Sequence, residues 1–241
     1  MTEKTQAIIL QVTKYGDGKF MLNTFTSELG RASFSLNAGQ NKNRPSPLPC
    51  CQSLFQNEIE YAGSNSPVKK IKAIYPSYNY KTIPKDTAKM SVAMFLAEIL
   101  LKTLTYSECN PGLYEFVSTS LKLLDEDGFK GRNFHLKFLM QLSKYTGFYP
   151  VNRYSGLTPC FDIAKSAFES NMTVSKHVIR EPYSKIFSEI LDKDFAECEA
   201  IPLSGNDRSY ILEKILDYYR YNFPAVKEIK SLEILQTVFH G

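Results

Sequence analysis

Residues 14–37 read KYGDGKFMLNTFTSELGRASFSLN, and this stretch decides the fold of the N-terminal third of the chain. Apolar and polar residues alternate with a period of two over residues 19–26 and 31–37, which predicts two half-buried strands. The turn SELG separates these strands, and the turn YGDG precedes the first of them. Glycine in each turn supplies the positive φ angles that tight hairpin connections need. The stretch therefore predicts consecutive antiparallel strands joined by short turns.

Three further segments extend this pattern to five strands. Residues 6–14 are rich in β-branched side chains, and strands over residues 51–61 and 68–75 complete the predicted sheet. Residues 38–49 read AGQNKNRPSPLP, whose three prolines and missing apolar period predict an exposed basic loop. Five short strands with one long loop are typical of a small closed barrel of the oligonucleotide-binding (OB) type. An SH3-like barrel fits the same pattern.

The period of the apolar residues becomes helical after residue 86. Asp86 is the predicted N-cap of a long helix, and Asn110 followed by Pro111 predicts the start of a second helix. Residues 148–182 are irregular, and a short hairpin is predicted around Phe161 and Phe168. The remaining helices are predicted over residues 133–145, 183–191, 207–221 with Asp207 as the cap, and 230–238.

The predicted fold class is α+β with two domains. A five-stranded OB-fold barrel over residues 1–80 is followed by a helical domain over residues 81–241, which contains the irregular segment with its hairpin. The boundary is placed in the linker PSYNYKTIPK, residues 76–85, because that segment has neither a helical nor a strand period.

Basic residues are concentrated in the N-terminal third. The whole chain of 241 residues has a net charge of +4, but residues 1–85 hold nine Lys and two Arg against five acids, a net charge of +6. The rest of the chain has a net charge of −2. A basic barrel joined to a mildly acidic helical part indicates that the barrel binds a polyanion.

The sequence carries no pattern of a familiar catalytic or cofactor site. It contains neither GxGxxG nor GxxxxGK[ST], its three histidines are scattered, and its five cysteines form no CxxC pair. The consecutive acids at residues 125–127 are expected to be solvated rather than to bind Mg²⁺. We therefore predict a protein that is not an enzyme and needs neither a cofactor nor a metal.

A cytoplasmic location is expected. The longest apolar run, residues 91–101, contains Glu98 and is shorter than the about 20 residues that a membrane helix needs. The first residues show no pattern of an export signal, and irregularly spaced cysteines favour a reducing compartment.

Basic and aromatic residues alternate along the predicted barrel, which is typical of single-strand binding. Phe25 and Phe34 are expected in the barrel core, whereas Tyr15 beside its Gly-Asp-Gly turn is expected to be exposed. The candidate DNA-binding residues are Lys14, Tyr15, Lys19, Arg31, Lys42, Arg44, Lys69, Lys70 and Lys72.

The order of these segments resembles the RecO family of recombination mediators. Phe25-Thr26, Glu28 and Gly30-Arg31 match the phenylalanine-threonine, acidic and glycine-arginine signature of that family's first hairpin. Later segments resemble further family landmarks in the same order. They are VKKIK at residues 68–72, AEILL at 97–101, Lys137-Phe138, GFYP at 147–150 and KSLEIL at 230–235.

This resemblance implies a bacterial DNA-repair protein with an N-terminal OB fold and a helical C-terminal domain. The family binds single- and double-stranded DNA, anneals complementary strands and, with RecR, helps to load RecA onto DNA coated with single-stranded DNA-binding protein (SSB). It holds the acidic, phenylalanine-ended tail of SSB in a basic-rimmed groove, which the resemblance places at Lys137 with Lys130 and Arg132 beside it. A nucleoid-associated cytoplasmic location follows from the same resemblance.

The chain departs from the family at one segment. Many relatives carry four zinc-binding cysteines after the glycine landmark, whereas residues 148–182 contain only Cys160. We therefore expect no structural zinc and a hairpin held by packing. An OB-fold RNA- or tRNA-binding accessory protein, an enzyme with a noncontiguous site in the helical part, and a protein scaffold remain the alternative functions.

Overall fold

Five strands close into a barrel at the N-terminus of the chain. The computed structural model describes residues 1–38, 46–63, 66–104, 109–172, 175 and 177–240. The strands are paired in the order β1-β2-β3-β5-β4, with β4 returning to β1. Only the β3–β5 pair is parallel. The strands are β1 (Thr2–Gly16), β2 (Lys19–Thr26), β3 (Gly30–Asn37), β4 (Gln56–Ala62) and β5 (Val68–Pro76). This is the predicted OB fold.

Alternating side chains of the five strands fill the barrel. Leu22 of β2, Phe34 of β3 and Ile59 of β4 are completely buried in one cluster, and Phe25 is buried as well. The Phe34 ring packs edge-on against Tyr61 with 5.4 Å between ring centres. The expectation that Phe34 belongs to the barrel core is confirmed, whereas Phe25 is buried outside that cluster, with its ring centre 5.7 Å from that of Tyr114.

Two strand boundaries differ from the sequence pattern. β1 is longer than predicted because its first half pairs with β4 and its second half with β2, so both halves are held in extended form. β4 begins at Gln56 instead of residue 51, because Leu48–Cys50 form a short 3-10 turn and Leu54 has a positive φ of 61°. The Leu54 N–H donates to the Ile9 carbonyl at 2.6 Å, which holds this irregular segment against β1.

Two helices belong to the same compact unit as the barrel, which spans Met1–Phe129. The helix α1 (Thr87–Thr103) is capped by the Asp86 carboxylate, and α2 (Pro111–Leu124) by the Asn110 side chain, as the sequence predicts. The predicted domain boundary between residues 80 and 81 lies between the last barrel strand and α1. The boundary between the two compact units of the structure lies after Phe129.

The Asp125 carboxylate, predicted to be solvated, joins the linker to the end of α2. It accepts hydrogen bonds from the backbone N–H groups of Lys81, Thr82 and Ile83 at 2.8 to 2.9 Å, and only 2% of Asp125 is exposed. The Lys89 ammonium, also buried, donates to the Thr82 hydroxyl at 2.8 Å and to the Glu126 carbonyl at 3.0 Å. The expectation for Asp125 is wrong because the linker folds over it.

The second compact unit, Lys130–Gly241, combines helices with a small sheet. The sheet has the order β7-β6-β8, and the predicted hairpin is confirmed as its β6–β7 pair. Its elements are α3 (Phe134–Tyr145), β6 (Cys160–Asp162), β7 (Ala167–Glu169), β8 (Val178–Ile179), α4 (Tyr183–Asp192), α5 (Phe195–Glu199), α6 (Gly205–Asn222) and α7 (Ser231–His240).

Aromatic packing holds the hairpin, as expected. The Phe161 ring lies 5.2 Å from Phe168 and 4.5 Å from Phe187 of α4, measured between ring centres. The predicted cap of α6 is wrong by one turn: the Ser204 hydroxyl accepts from the Asp207 N–H, so the helix begins earlier. Over the parts of the chain that the structure describes, no helix has both the length and the apolar character needed to cross a membrane.

Candidate nucleic-acid interface

Three of the predicted DNA-binding residues meet at one groove on the barrel. Tyr15 at the end of β1, Lys19 at the start of β2 and Lys70 of β5 line a cavity of about 190 Å³. The strand register brings the two lysines together at the end of β3. Lys19 of β2 pairs with Asn37, and Lys70 of β5 pairs with Ser35, which lies two residues before Asn37 on the same strand. Ser35, Leu36 and Asn37 form the rest of the lining. We call these six residues the barrel groove.

The β3 residues of the barrel groove were not predicted as site residues. Serine, leucine and asparagine are ordinary strand-end residues, and nothing in their local pattern indicates a binding role. The available signal was the register of the β2–β3 hairpin, which places Asn37 directly opposite Lys19. The parallel pairing that brings Lys70 beside Ser35 joins two strands that β4 separates in the chain, so it comes from the tertiary fold alone.

A row of polar side chains crosses β1, β2 and β3, three of the four strands that line the barrel groove. The Asn23 amide of β2 donates to the Gln11 side chain of β1 at 3.1 Å, and the Ser33 hydroxyl of β3 donates to the Asn23 carbonyl oxygen at 3.0 Å. Cross-strand bonds of this kind fix side-chain orientation on a sheet surface. The face of β1, β2 and β3 is therefore polar and ordered next to the barrel groove.

The three other described lysines among the predicted DNA-binding residues differ in their contacts. Lys14 is exposed on β1. Lys72 is exposed on β5 and donates to the Thr2 hydroxyl at 2.5 Å. The Lys69 ammonium lies 5.4 Å from the ring centre of the buried Tyr61, so it takes part in a cation–π contact at the core. Lys42 and Arg44 lie outside the described residues, and their DNA-binding role stays a prediction.

Acidic side chains lie on β4, outside the lining of the barrel groove. The Lys4 ammonium of β1 contacts the carboxylates of Glu60 at 2.9 Å and Glu58 at 3.0 Å, both on β4. Hydrogen bonds to Glu60 and Glu58 raise the pKa of Lys4 above its ordinary value. Because a phosphate backbone is repelled by carboxylates and attracted by cations, the charges favour the barrel groove over β4 for a polyanion.

Arg31 has a structural role that the sequence does not predict. Its guanidinium Nη1 donates to the carbonyls of Leu101 at 2.9 Å and Leu104 at 3.1 Å, at the C-terminal end of α1. A cation at this position satisfies carbonyls that lack helical partners and complements the helix dipole. Arg31 therefore docks α1 on the barrel, and its DNA-binding role stays a prediction.

Replacing Arg31 with alanine should lower the free energy of unfolding of the N-terminal unit by about 2 kcal/mol, because two charge-assisted hydrogen bonds are lost. Urea denaturation followed by circular dichroism measures this change. The control variant Lys14→Ala removes an exposed cation of the same barrel and should change stability by less than about 0.5 kcal/mol. Equal stability of wild type and Arg31→Ala would contradict the docking role.

Lys137 is corrected, because its side chain lies inside the second unit. Only 2% of Lys137 is exposed, and its ammonium donates to the carbonyls of Ile190 at 2.9 Å and Leu191 at 3.1 Å, at the end of α4. Burial lowers the pKa of Lys137, against the opposing influence of nearby Cys198 and acidic groups. The cation caps a helix and does not lie on the rim of a groove.

Lys130 and Arg132, the other predicted tail-binding residues, have exposed side chains just before α3. The backbone donors at this helix start already hold a carboxylate of the same chain. Glu199 accepts from the N–H of Arg132 at 2.8 Å and from the N–H of Asn133 at 3.1 Å. A peptide carboxylate that bound here would therefore depend on the side chains of Lys130 and Arg132.

Comparison with known proteins identifies the family. The family model described as "Recombination protein O C terminal" matches residues 84–231. Proteins called DNA repair protein RecO are similar to this chain along almost its whole length. The relative from Phocaeicola vulgatus is 29% identical over 243 residues, and the alignment covers 99% of this chain and 100% of the relative. In Flavobacterium psychrophilum the identity is 28% over 241 residues, covering 99% and 100%. In Porphyromonas gingivalis it is 29% over 251 residues, covering 98% of each. Because the family model covers more than half of a chain that also has the expected barrel and helices, this protein belongs to the recombination protein O family.

Proposed function

We propose that this protein is a DNA-repair and recombination mediator that binds single- and double-stranded DNA through its barrel and anneals complementary strands without a covalent step. Membership of the family supports the repair and recombination role. The observation that carries the DNA-binding part is the barrel groove, where two lysines and an exposed tyrosine meet and whose lining contains no acidic residue.

Annealing follows from charge neutralisation. Two DNA strands repel each other through their phosphates, and lysines that cover phosphates lower this repulsion and release counterions. The logarithm of the binding constant should then fall with the logarithm of the salt concentration, by about 0.7 for each phosphate contact on a single strand. The polar row of Gln11, Asn23 and Ser33 can position the backbone without reading the sequence.

The partner proteins are part of the proposal. We propose that the protein acts with RecR and helps to load RecA onto SSB-coated DNA in the bacterial cytoplasm. For the acidic tail of SSB, only Lys130 and Arg132 of the three predicted residues offer exposed cations. Arginine is well suited to a tail carboxylate because its planar guanidinium can donate two parallel hydrogen bonds.

The rate of annealing of two complementary oligonucleotides tests the proposed function. We expect the purified protein to accelerate annealing of bare strands and of strands coated with SSB from the same cell, more strongly at low than at moderate salt. Acceleration of bare strands alone would contradict the tail contact. Absence of both annealing and DNA binding at low salt would contradict the proposed function, and tighter binding of RNA of equal length would favour the RNA-binding alternative.

Charge reversal locates the binding face. The double variant Lys19→Glu, Lys70→Glu should lower the affinity for a single-stranded oligonucleotide at least tenfold, measured by fluorescence anisotropy, because two phosphate contacts become repulsive. The double variant Lys81→Glu, Lys85→Glu changes the net charge equally at exposed positions outside the barrel groove and should cost less than about threefold. Equal losses in both variants would contradict a DNA site at the groove.

A further inference from the structure

We propose that the barrel groove is a subsite for one unstacked nucleobase of a single strand. This inference rests on the proposed function, because it assigns one part of nucleic-acid binding to the groove. Phosphate contacts alone would need only cations on an open surface. The groove instead combines two cations with a concave space, an aromatic ring and side chains that can form hydrogen bonds.

The size of the groove fits one planar ring. Its volume is about 190 Å³, below the roughly 300 to 1,000 Å³ of sites that take drug-sized ligands. A nucleobase is small enough to enter such a space. Bases in a duplex are stacked and paired, so they would first have to be flipped out. The groove therefore favours a single strand, a strand end or an unpaired base.

Tyr15 supplies the stacking surface. It lies at the end of β1 beside the β1–β2 turn, and 54% of its surface is exposed although it is a large aromatic residue. Every base has a planar π face, so stacking on an exposed ring tolerates any sequence. A mediator that has to bind strands of arbitrary sequence requires this kind of contact.

β3 supplies polar groups for the edge of the base. The Ser35 hydroxyl donates to the Lys69 carbonyl at 3.5 Å, and its oxygen can accept a further hydrogen bond. Asn37 carries an amide, the type of group that can pair with the edge of a base. Leu36 also lines the groove, although its side chain belongs largely to the barrel core.

The two lysines flank β3 on both sides. Lys19 belongs to β2 and Lys70 to β5, the two strands that pair with β3. When a base occupies the groove, cations on both neighbouring strands can therefore neutralise the phosphates on either side of that nucleotide. This arrangement binds one nucleotide at a defined place and leaves the neighbouring bases of the strand available for pairing.

Substitution of Tyr15 tests the subsite. Tyr15→Ala should weaken binding of a single-stranded oligonucleotide about tenfold and leave binding of a duplex of equal length within twofold, whereas Tyr15→Phe should keep single-strand affinity within twofold. Tyr75 is the matched control, because it is also on the barrel and 53% exposed but does not line the groove. Tyr75→Ala should leave both affinities within twofold.

Photocrosslinking with a single strand that contains 5-iododeoxyuridine gives an independent measurement. We expect an adduct on Tyr15, identified by mass spectrometry, in the wild-type protein and none on Tyr75. Unchanged single-strand affinity of Tyr15→Ala, equal losses for single strand and duplex, or crosslinks only elsewhere would overturn the base subsite. If Lys19→Glu, Lys70→Glu still loses affinity in that case, DNA binding at the groove stands without the subsite. If that variant also binds normally, the proposed function at this face fails too.

Discussion

Replacing Asp125 with alanine should lower the free energy of unfolding of the N-terminal unit by about 3 to 4 kcal/mol. The substitution leaves the N–H groups of Lys81, Thr82 and Ile83 without their acceptor, the Ile83 group in a buried position, and it removes the hydrogen bond that the Thr82 hydroxyl donates to the carboxylate at 3.2 Å. The linker would then detach from the end of α2. Hydrogen–deuterium exchange should show faster exchange of residues 77–86, together with an earlier urea transition.

Asp127 provides the matched control, because it lies two residues later and its side chain is exposed. Asp127→Ala should change stability by less than about 0.5 kcal/mol. Similar transitions for Asp125→Ala and Asp127→Ala would contradict the role of the Asp125 carboxylate in holding the linker.

The same carboxylate makes the stability depend on pH. Burial raises the pKa of Asp125, but hydrogen bonds from the N–H groups of Ile83, Lys81 and Thr82 together bring the pKa below its ordinary value. A carboxyl group whose pKa is lower in the folded state stabilises the protein above its unfolded pKa, and this contribution is lost as the pH falls through the folded pKa. Below about pH 4 the wild type should lose stability more steeply than Asp125→Asn.

Replacing Lys137 with glutamate should prevent stable folding of the second unit, at a cost of more than about 4 kcal/mol. The change places a buried carboxylate against the carbonyls of Ile190 and Leu191, which accept hydrogen bonds from the lysine. Lys137→Met keeps much of the side-chain volume and leaves the carbonyls without a donor, so a cost of about 2 kcal/mol is expected. Circular dichroism melting curves measure both effects.

The control for Lys137 is Lys130→Glu, which reverses an exposed charge of the same unit. It should leave the melting temperature almost unchanged. A stable Lys137→Glu variant would contradict the helix-capping role of the lysine. Loss of SSB-tail binding by Lys137→Glu would report unfolding, so Lys130 and Arg132 are the residues to substitute when the tail contact is measured.

The sequence by itself determined the type and order of most elements. Period-two alternation and glycine turns act over a few neighbouring residues, so the β2–β3 hairpin was predicted almost to the residue. Caps are equally local, and Asp86 and Asn110 begin α1 and α2 as predicted. Exposed Tyr15, Lys19 and Lys70 in a basic barrel were recognised from composition and position, since these signals do not depend on distant contacts.

The tertiary structure alone decided what individual charges do. Arg31, Asp125 and Lys137 look like surface residues in the sequence, but each meets backbone groups of a segment 42 to 73 residues away. Backbone N–H and carbonyl groups are the same at every residue, so no side-chain pattern shows which of them lack partners at a buried helix end or linker. The barrel groove depends on the same kind of information, because the parallel β3–β5 pairing places Ser35 beside Lys70 although β4 lies between them in the chain.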